Sequence, residues 1–430
     1  MNTSIFNTLI PILDAHTLIF NAYSGAFVVI RDKVMTLAPS DIDNIRSSSP
    51  ELYRQLCEGG MIVEEGINEV QLLEDRIYST DNNMDEFILH INPTLDCNFR
   101  CWYCYENHLT GSRMSPAILE SVRRFITKTI KSQEKLKLFS LDFFGGEPLL
   151  EFDHVVKPLT HYVSALCRNA GIKFNLHFTS NGFLLEPNKI EYLAQYNCGF
   201  QITLDGGKEF HDKTRFTKSG KFPSYAVIID NIKSLISKGV EVILRINYTK
   251  YNIHSVPLIL KDILDIEKVN KRYLLIDLQR VWQDRNAPDN CDEIANAIRK
   301  EFMIQGFTVL TNYLHHDVRQ SCYGDKINHT LINYDGYVYG CTARDFTEAN
   351  SIGVLNIDGS IDYKKEVYHD RNKSKLSKKI CRECRVAPIC GGGCKQRAYE
   401  DKDNPNCTFG YTEEDKDNMV LDIFEYSFLK

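Results

Sequence analysis

The chain lacks any uninterrupted apolar run near the roughly 20 residues that a membrane helix needs, so a membrane partner is not expected. It lacks surplus positive charge as well: 51 Lys and Arg stand against 57 Asp and Glu, a net of −6. That balance argues against a nucleic-acid partner. The opening stretch MNTSIFNTLIPILDAH has neither a basic start nor an apolar core, so no signal peptide is read and a cytoplasmic protein is expected. No internal repeat and no low-complexity tract is visible, which excludes solenoid and fibrous architectures. Hydrophobic content of 43% and charged content of 25% are those of an ordinary folded chain. At 430 residues, about two to four domains are expected.

Cysteine is the exception to this ordinariness. There are 14, and in a large chain without a signal peptide they point to metal or redox work rather than disulfides. Ten of them fall in clusters. Cys57, Cys167, Cys198 and Cys291 stand alone and read as structural.

Three regions differ in texture. Residues 1–84 carry five Lys/Arg against twelve Asp/Glu. There a hairpin is read over His16–Ile30, broken at Ser24-Gly25, with short helices over Pro39–Ser48 and Pro50–Gly59. Met61–Glu65 reads as a further short strand, and polar Ser79–Asp85 as a linker. Residues 85–311 alternate. Strands are read at Phe87–Asn92, Leu138–Phe144, Lys173–Phe178, Phe200–Leu204, Val240–Ile246 and Tyr273–Val281, with helices between, one opening at Ser115-Pro116. Such alternation predicts an α/β fold built on parallel βαβ units, with chemistry on the loops that follow the strands. Residues 312–430 break the alternation and are rich in Cys, Gly and Lys, with short strands at Thr330–Asn333 and Tyr337–Gly340.

Immediately after the first of the six strands comes Cys97-Asn-Phe-Arg-Cys101-Trp-Tyr-Cys104. Four cysteines complete a four-iron cluster; three leave one iron open. A zinc site would need a fourth N/S ligand, for which His108 is at hand. The CxxxCxxC spacing, with aromatic Tyr103 before the last cysteine, resembles the radical S-adenosylmethionine (radical SAM) enzymes. That resemblance implies a partial (β/α)6 barrel, a [4Fe–4S] cluster on Cys97, Cys101 and Cys104, and S-adenosylmethionine on its open iron. It also implies cleavage of that cofactor to a 5′-deoxyadenosyl radical that abstracts hydrogen from the substrate. Gly145-Gly146-Glu147-Pro148 resembles the family's GGEP, whose glycines would admit a ligand and whose glutamate could accept from an ammonium. Ser180-Asn181-Gly182 closes the third strand. Thr203-Leu204-Asp205-Gly206 closes the fourth and resembles S-x-D-G. Arg215 sits where relatives place an arginine near the cofactor's carboxylate. Tyr103, Gly145, Gly146, Glu147, Ser180, Thr203, Asp205 and Arg215 are thus the expected cofactor contacts. A plain turn or salt bridge remains open for Ser180, Asn181 and Arg245.

The C-terminal cysteines resemble the SPASM extension of peptide-modifying radical SAM enzymes. Without that resemblance, Cys381, Cys384, Cys390 and Cys394 would also suit zinc. The resemblance implies two further [4Fe–4S] clusters, three in all. One falls on Cys381, Cys384, Cys390 and Cys407, the other on Cys322, Cys341 and Cys394. Relatives with a complete second auxiliary site have an additional cysteine where this chain has Asn328, followed by His329. An open iron or a non-cysteine ligand is expected there.

The function expected is that of a peptide maturase acting on a ribosomally made precursor peptide or protein, with crosslinking as the outcome. Residues 1–84 would be a winged-helix-like leader-recognition module, and flavodoxin or ferredoxin the electron donor. One rival is an anaerobic sulfatase-maturating enzyme. Its base, an aspartate directly after the second SPASM cysteine, is absent or displaced here, since Cys341 is followed by Thr342-Ala343-Arg344-Asp345. Another rival is a non-catalytic zinc or iron–sulfur module. No catalytic residue is assigned.

Overall fold

Alternating apolar residues set the first sheet. In the computed structural model, which describes residues 1–12, 15–31, 37–219, 222–284, 290–310 and 318–427, β1 (Asn7–Ile12), β2 (His16–Asn21) and β3 (Ala26–Ile30) form an antiparallel sheet in that order. Two helices follow, α1 (Pro39–Ser48) and α2 (Pro50–Glu58), each with proline in its first turn. The stretch Ser79–Asp85, read from sequence as a linker, is in part the end of a third helix, α3 (Glu69–Asp81), capped by the Asn68 side chain. Its last residue, Asp81, is buried and ion-paired, which holds this polar end in helical form.

The six expected strands are present as β4 (Glu86–Ile91), β5 (Leu138–Phe143), β6 (Lys173–Ser180), β7 (Cys198–Leu204), β8 (Glu241–Tyr248) and β9 (Leu274–Arg280), and a short β10 (Thr308–Leu310) extends them. They pair parallel, each beside its sequence neighbour. Between them lie α4 (Pro116–Ser132), α5 (Lys157–Ala170), α6 (Pro187–Leu193), α7 (Lys208–Thr214), α8 (Tyr225–Ser237), α9 (Val256–Ile263) and α10 (Cys291–Ile304). The chain then returns to the far side of β4. There β11 (His329–Ile332) pairs with it in parallel, and β12 (Tyr337–Tyr339), β13 (Gly353–Leu355) and β14 (Ile361–Tyr363) continue antiparallel. The result is one open, mostly parallel sheet of eleven strands with β10 and β14 at its edges.

The period of two gives this sheet two unlike faces. Phe87, Leu89, Ile91, Phe139, Leu141, Phe143, Phe178, Phe200, Leu244 and Ile276 are buried on one, with stacked rings such as Phe178–Phe200 at 4.8 Å. The alternate positions carry Glu86, His90, Asp142, His177, Thr203, Arg245 and Asp277, a polar face. His90, Asp142 and His177 are direct neighbours across β4, β5 and β6.

The chain divides into two compact units: residues 1–83, 312–327 and 365–430 form one, residues 84–311 and 328–364 the other. The first includes the C-terminal helices α11 (Lys365–Asn372), α12 (Lys379–Arg382), α13 (Ala387–Cys390), α14 (Lys395–Glu400) and α15 (Glu413–Ser427). Its core joins Phe6, Leu18, Phe20, Leu73 and Ile77 to Val318, Leu376, Val386, Ile389 and Val420. Residues far apart in sequence therefore share one interior.

Candidate active site

Strand ends bring the second unit's motifs together. The loop leaving β4 is pinned before it reaches the cysteines. The Asp96 carboxylate accepts from the Cys97 amide at 2.8 Å and from the Gly111 amide at 3.0 Å. The turn after β5 then lies directly on this loop: the Gly146 amide donates to Thr94 O at 3.1 Å and the Glu147 amide to Asp96 O at 2.9 Å. Here glycine is obligatory. Gly145 has φ +101°, and a Cβ on Gly146 would sit 2.1 Å from Asp96 O. The close approach expected toward a ligand is, in this structure, an approach to the cysteine loop itself.

Glu147 is fully buried. Its carboxylate accepts from the Leu149 amide at 3.1 Å, the Ser180 hydroxyl at 2.9 Å and the Asn181 amide at 2.8 Å. Burial raises its pKa and these donors oppose the rise. Glu147 and Ser180 thus brace the ends of β5 and β6 against each other. Asn181 donates to Asn98 Oδ1 at 2.7 Å, with its amide nitrogen 3.9 Å from Cys97 Sγ.

A second network arises at the end of β7. The Tyr103 hydroxyl donates to Asp205 at 2.6 Å and accepts from Arg215 Nη1 at 2.7 Å, and the Thr214 hydroxyl adds a bond to Asp205 at 3.2 Å. Burial pushes the Asp205 carboxyl up, against the pull of Arg215. Behind it, His211 Nδ1 accepts from the Asp205 amide at 3.2 Å, so Nε2 carries the proton toward Ser224 Oγ at 3.0 Å. Ser224 donates onward to Arg215 O at 2.5 Å. Burial, then Arg215, drives the His211 pKa well down, which keeps this relay neutral. Thr203 stands on the polar face in register with Arg245, whose Nε bonds Asn247 at 3.1 Å.

Cys101 lies within electrostatic reach of both Cys97 and Cys104. Burial pushes Cys97 up to about 12 and Cys104 up to about 11, with Cys101 adding to both and itself raised by burial. Buried neutral thiols are costly to ionise unless a cationic core takes the charge. In the first unit, Cys390 is raised to about 12 by burial and feels Cys384, Cys407 and Cys381. Those four cysteines are therefore drawn together although Cys407 is remote in sequence. Among the described residues no group of three or more His, Cys, Asp or Glu side chains is set to hold a single metal ion.

Cys341 lies in the second unit, and Cys322 and Cys394 in the first. Cys341 Sγ accepts from the Ala343 amide at 3.3 Å, and Cys394 Sγ caps α14 through the Arg397 amide at 3.4 Å. Asn328, at the position of the additional family cysteine, is buried and bonded to Glu86 O and the Gln133 side chain. His329 Nε2 is 3.2 Å from His90 Nδ1. Both side chains are engaged within the sheet.

Sequence reasoning missed Glu106. It is 8% exposed, and neither carboxylate oxygen has a hydrogen-bond partner. Burial and nearby Asp345 raise it to about 8. Tyr105, beside it, stacks on Trp282 at 5.7 Å. The one hint in the sequence is a carboxylate two residues beyond the last cysteine of the motif.

Residues 91–264 match the Radical SAM superfamily model. The chain is 24% identical over 396 residues to the radical SAM cyclopropyl synthase TigE of Paramaledivibacter caminithermalis, covering 83% of this chain and 78% of that one. It is 31% identical over 160 residues to a serine-type anaerobic sulfatase-maturating enzyme of Bacteroides thetaiotaomicron, 34% of this chain and 35% of that one. The chain's fold is shared by solved structures, of which two illustrate the match. Native anSMEcpe with bound AdoMet has TM-score 0.56 at 18% identity, over 79% of this chain and 96% of that one. Streptococcus suis SuiB bound to precursor peptide SuiA has TM-score 0.52 at 13% identity, over 94% and 97%.

Proposed function

Since this chain is a radical SAM superfamily enzyme, we propose that it matures a ribosomally made precursor peptide, crosslinking it after hydrogen abstraction. The observation that carries this reading is the pinned three-cysteine loop with the buried Tyr103–Asp205–Arg215 network at its side. In this reading Cys97, Cys101 and Cys104 hold a [4Fe–4S] cluster. With S-adenosylmethionine it supplies one-electron cleavage and a hydrogen-abstracting radical.

The protein's own contribution is orientation. Arg215, fixed by Tyr103 and Asp205, offers a cation to the cofactor's carboxylate. Thr203 and Asp205 offer polar atoms at the end of β7. Glu147 and Ser180 keep the two adjoining strand ends, and so the cysteine loop, in one place. Glu106, buried without a partner, faces the substrate and accepts from one of its N–H or O–H groups. Two auxiliary [4Fe–4S] clusters complete the assignment, on Cys381, Cys384, Cys390 and Cys407 and on Cys322, Cys341 and Cys394. An electron donor such as flavodoxin or ferredoxin feeds the first cluster. The edge of β3, whose outer side has no strand partner among the described residues, receives the precursor's leader as an added strand.

The test is anaerobic reconstitution followed by incubation with S-adenosylmethionine, dithionite and candidate precursors encoded nearby. The expected result is 5′-deoxyadenosine together with a crosslinked peptide that has lost hydrogen. Formylglycine made from a sulfatase peptide would favour the sulfatase-maturating reading instead. Bound zinc without cofactor cleavage would leave only a binding module.

A further inference from the structure

Four opposite charges are buried together in the first unit, and they join segments that the sequence keeps far apart. Lys375 Nζ lies 3.3 Å from Asp81 and 3.1 Å from Asp325. Lys395 Nζ lies 3.3 Å from Asp81 and bonds the Asp325 carbonyl. All four side chains are at most 7% exposed. Two positive and two negative charges cancel, so the group tolerates burial only as a complete set.

Its position gives it a second consequence. The Asp325 amide donates to Cys322 O at 2.9 Å, closing the turn Tyr323–Asp325. One oxygen of the same Asp325 side chain accepts from the Lys395 amide at 2.8 Å, the residue after Cys394. Arg371 Nη2 clamps Gly324 O at 2.5 Å, and Ser374 bonds Lys395 O at 2.8 Å. Asp325 thus ties the turn that carries Cys322 to the helix start that carries Cys394.

We propose that Asp325, held between Lys375 and Lys395, is a positioning residue for Cys322 and Cys394 and sets the reduction potential of the iron–sulfur core they hold. This rests on the reading of those two cysteines as cluster ligands. A charge beside a cluster biases its redox couple: a cation favours the more negative, reduced form, and an anion opposes it. Asp325→Asn leaves the lysines in excess, and Lys395→Met leaves the aspartates in excess.

The experiment is a potentiometric titration of the anaerobically purified, fully loaded protein, followed by low-temperature paramagnetic resonance and iron analysis. One auxiliary signal is expected to move to higher potential in D325N and to lower potential in K395M, while K395R keeps the wild-type value. A merely structural part would not produce shifts of opposite sign. C322A and C394A should each lose iron. Unchanged iron in both would overturn the ligand reading and this proposal with it. Lost iron in those two, with potentials in D325N and K395M that stay put or move together, would overturn the positioning role alone.

Discussion

The two cysteine regions are built in opposite ways. Around Cys97–Cys104 the site is assembled from consecutive strand ends, where a loop after β4 meets turns after β5, β6 and β7. Around Cys381–Cys407 there is no such frame. Short helices are held by a core shared with the N-terminal sheet and by buried ion pairs. A regular sheet places functional loops by its own periodicity. An irregular cysteine-rich segment must borrow its rigidity from elsewhere in the chain.

The largest effect that would break this contrast is loss of the first site alone. On the proposed three-cluster assignment, Cys101→Ala should abolish cleavage of S-adenosylmethionine while leaving roughly two thirds of the iron. Iron analysis beside 5′-deoxyadenosine assay checks both halves. Next comes Asp81→Ala, which strands buried lysines in the first unit and should cost about 3–5 kcal/mol in denaturant unfolding. If the contrast is right, it weakens the C-terminal cysteine set before the first site. Gly146→Ala forces a Cβ to within 2.1 Å of a carbonyl oxygen and should cost on the order of 3 kcal/mol, with loss of the first cluster's spectroscopic signal before the others.

The smallest effect concerns the polar face of the large sheet. Burial lowers His177 to about 4 and, with His177's help, His90 to about 3; it raises Asp142 to about 7, with Glu86 adding to the rise. A depressed histidine contributes stability that is present above its unfolded pKa near 6.5 and is lost as pH falls through the folded value. Asp142 has the opposite slope, stabilising at low pH and losing that contribution as pH rises toward 7. His90 and Asp142 lie 3.3 Å apart, and burial favours the neutral form of each. His177→Gln should therefore flatten the acid side of the stability profile, losing on the order of 2 kcal/mol less than the parent between pH 7 and pH 5. Parallel profiles would show that His177 titrates normally.

How legible each part was follows from the same contrast. The strands, the Ser115 cap and the motifs at strand ends are local signals, and the sheet keeps them in sequence order. Helix α3 was not legible, because Asp81 reads as a linker residue until Lys375 is known to stand against it. Glu106 was hidden for a related reason: no pattern in a polar loop announces that both of its oxygens are sealed from water and unbonded. Gly145 and Gly146 were legible as necessary but not as to purpose, since their partner is the backbone of the preceding strand's loop.

The return of β11 to the flank of β4 also bears on assembly. Asn92 and Asn333, 241 residues apart, meet at 3.2 Å beside the start of the cysteine loop. Closing so long a span is slow compared with pairing adjacent strands. The strand that leads into the cysteine loop, β4, is therefore among the last to be covered on both sides. Until residues 329–332 have been synthesised, β4 keeps one edge without its strand partner.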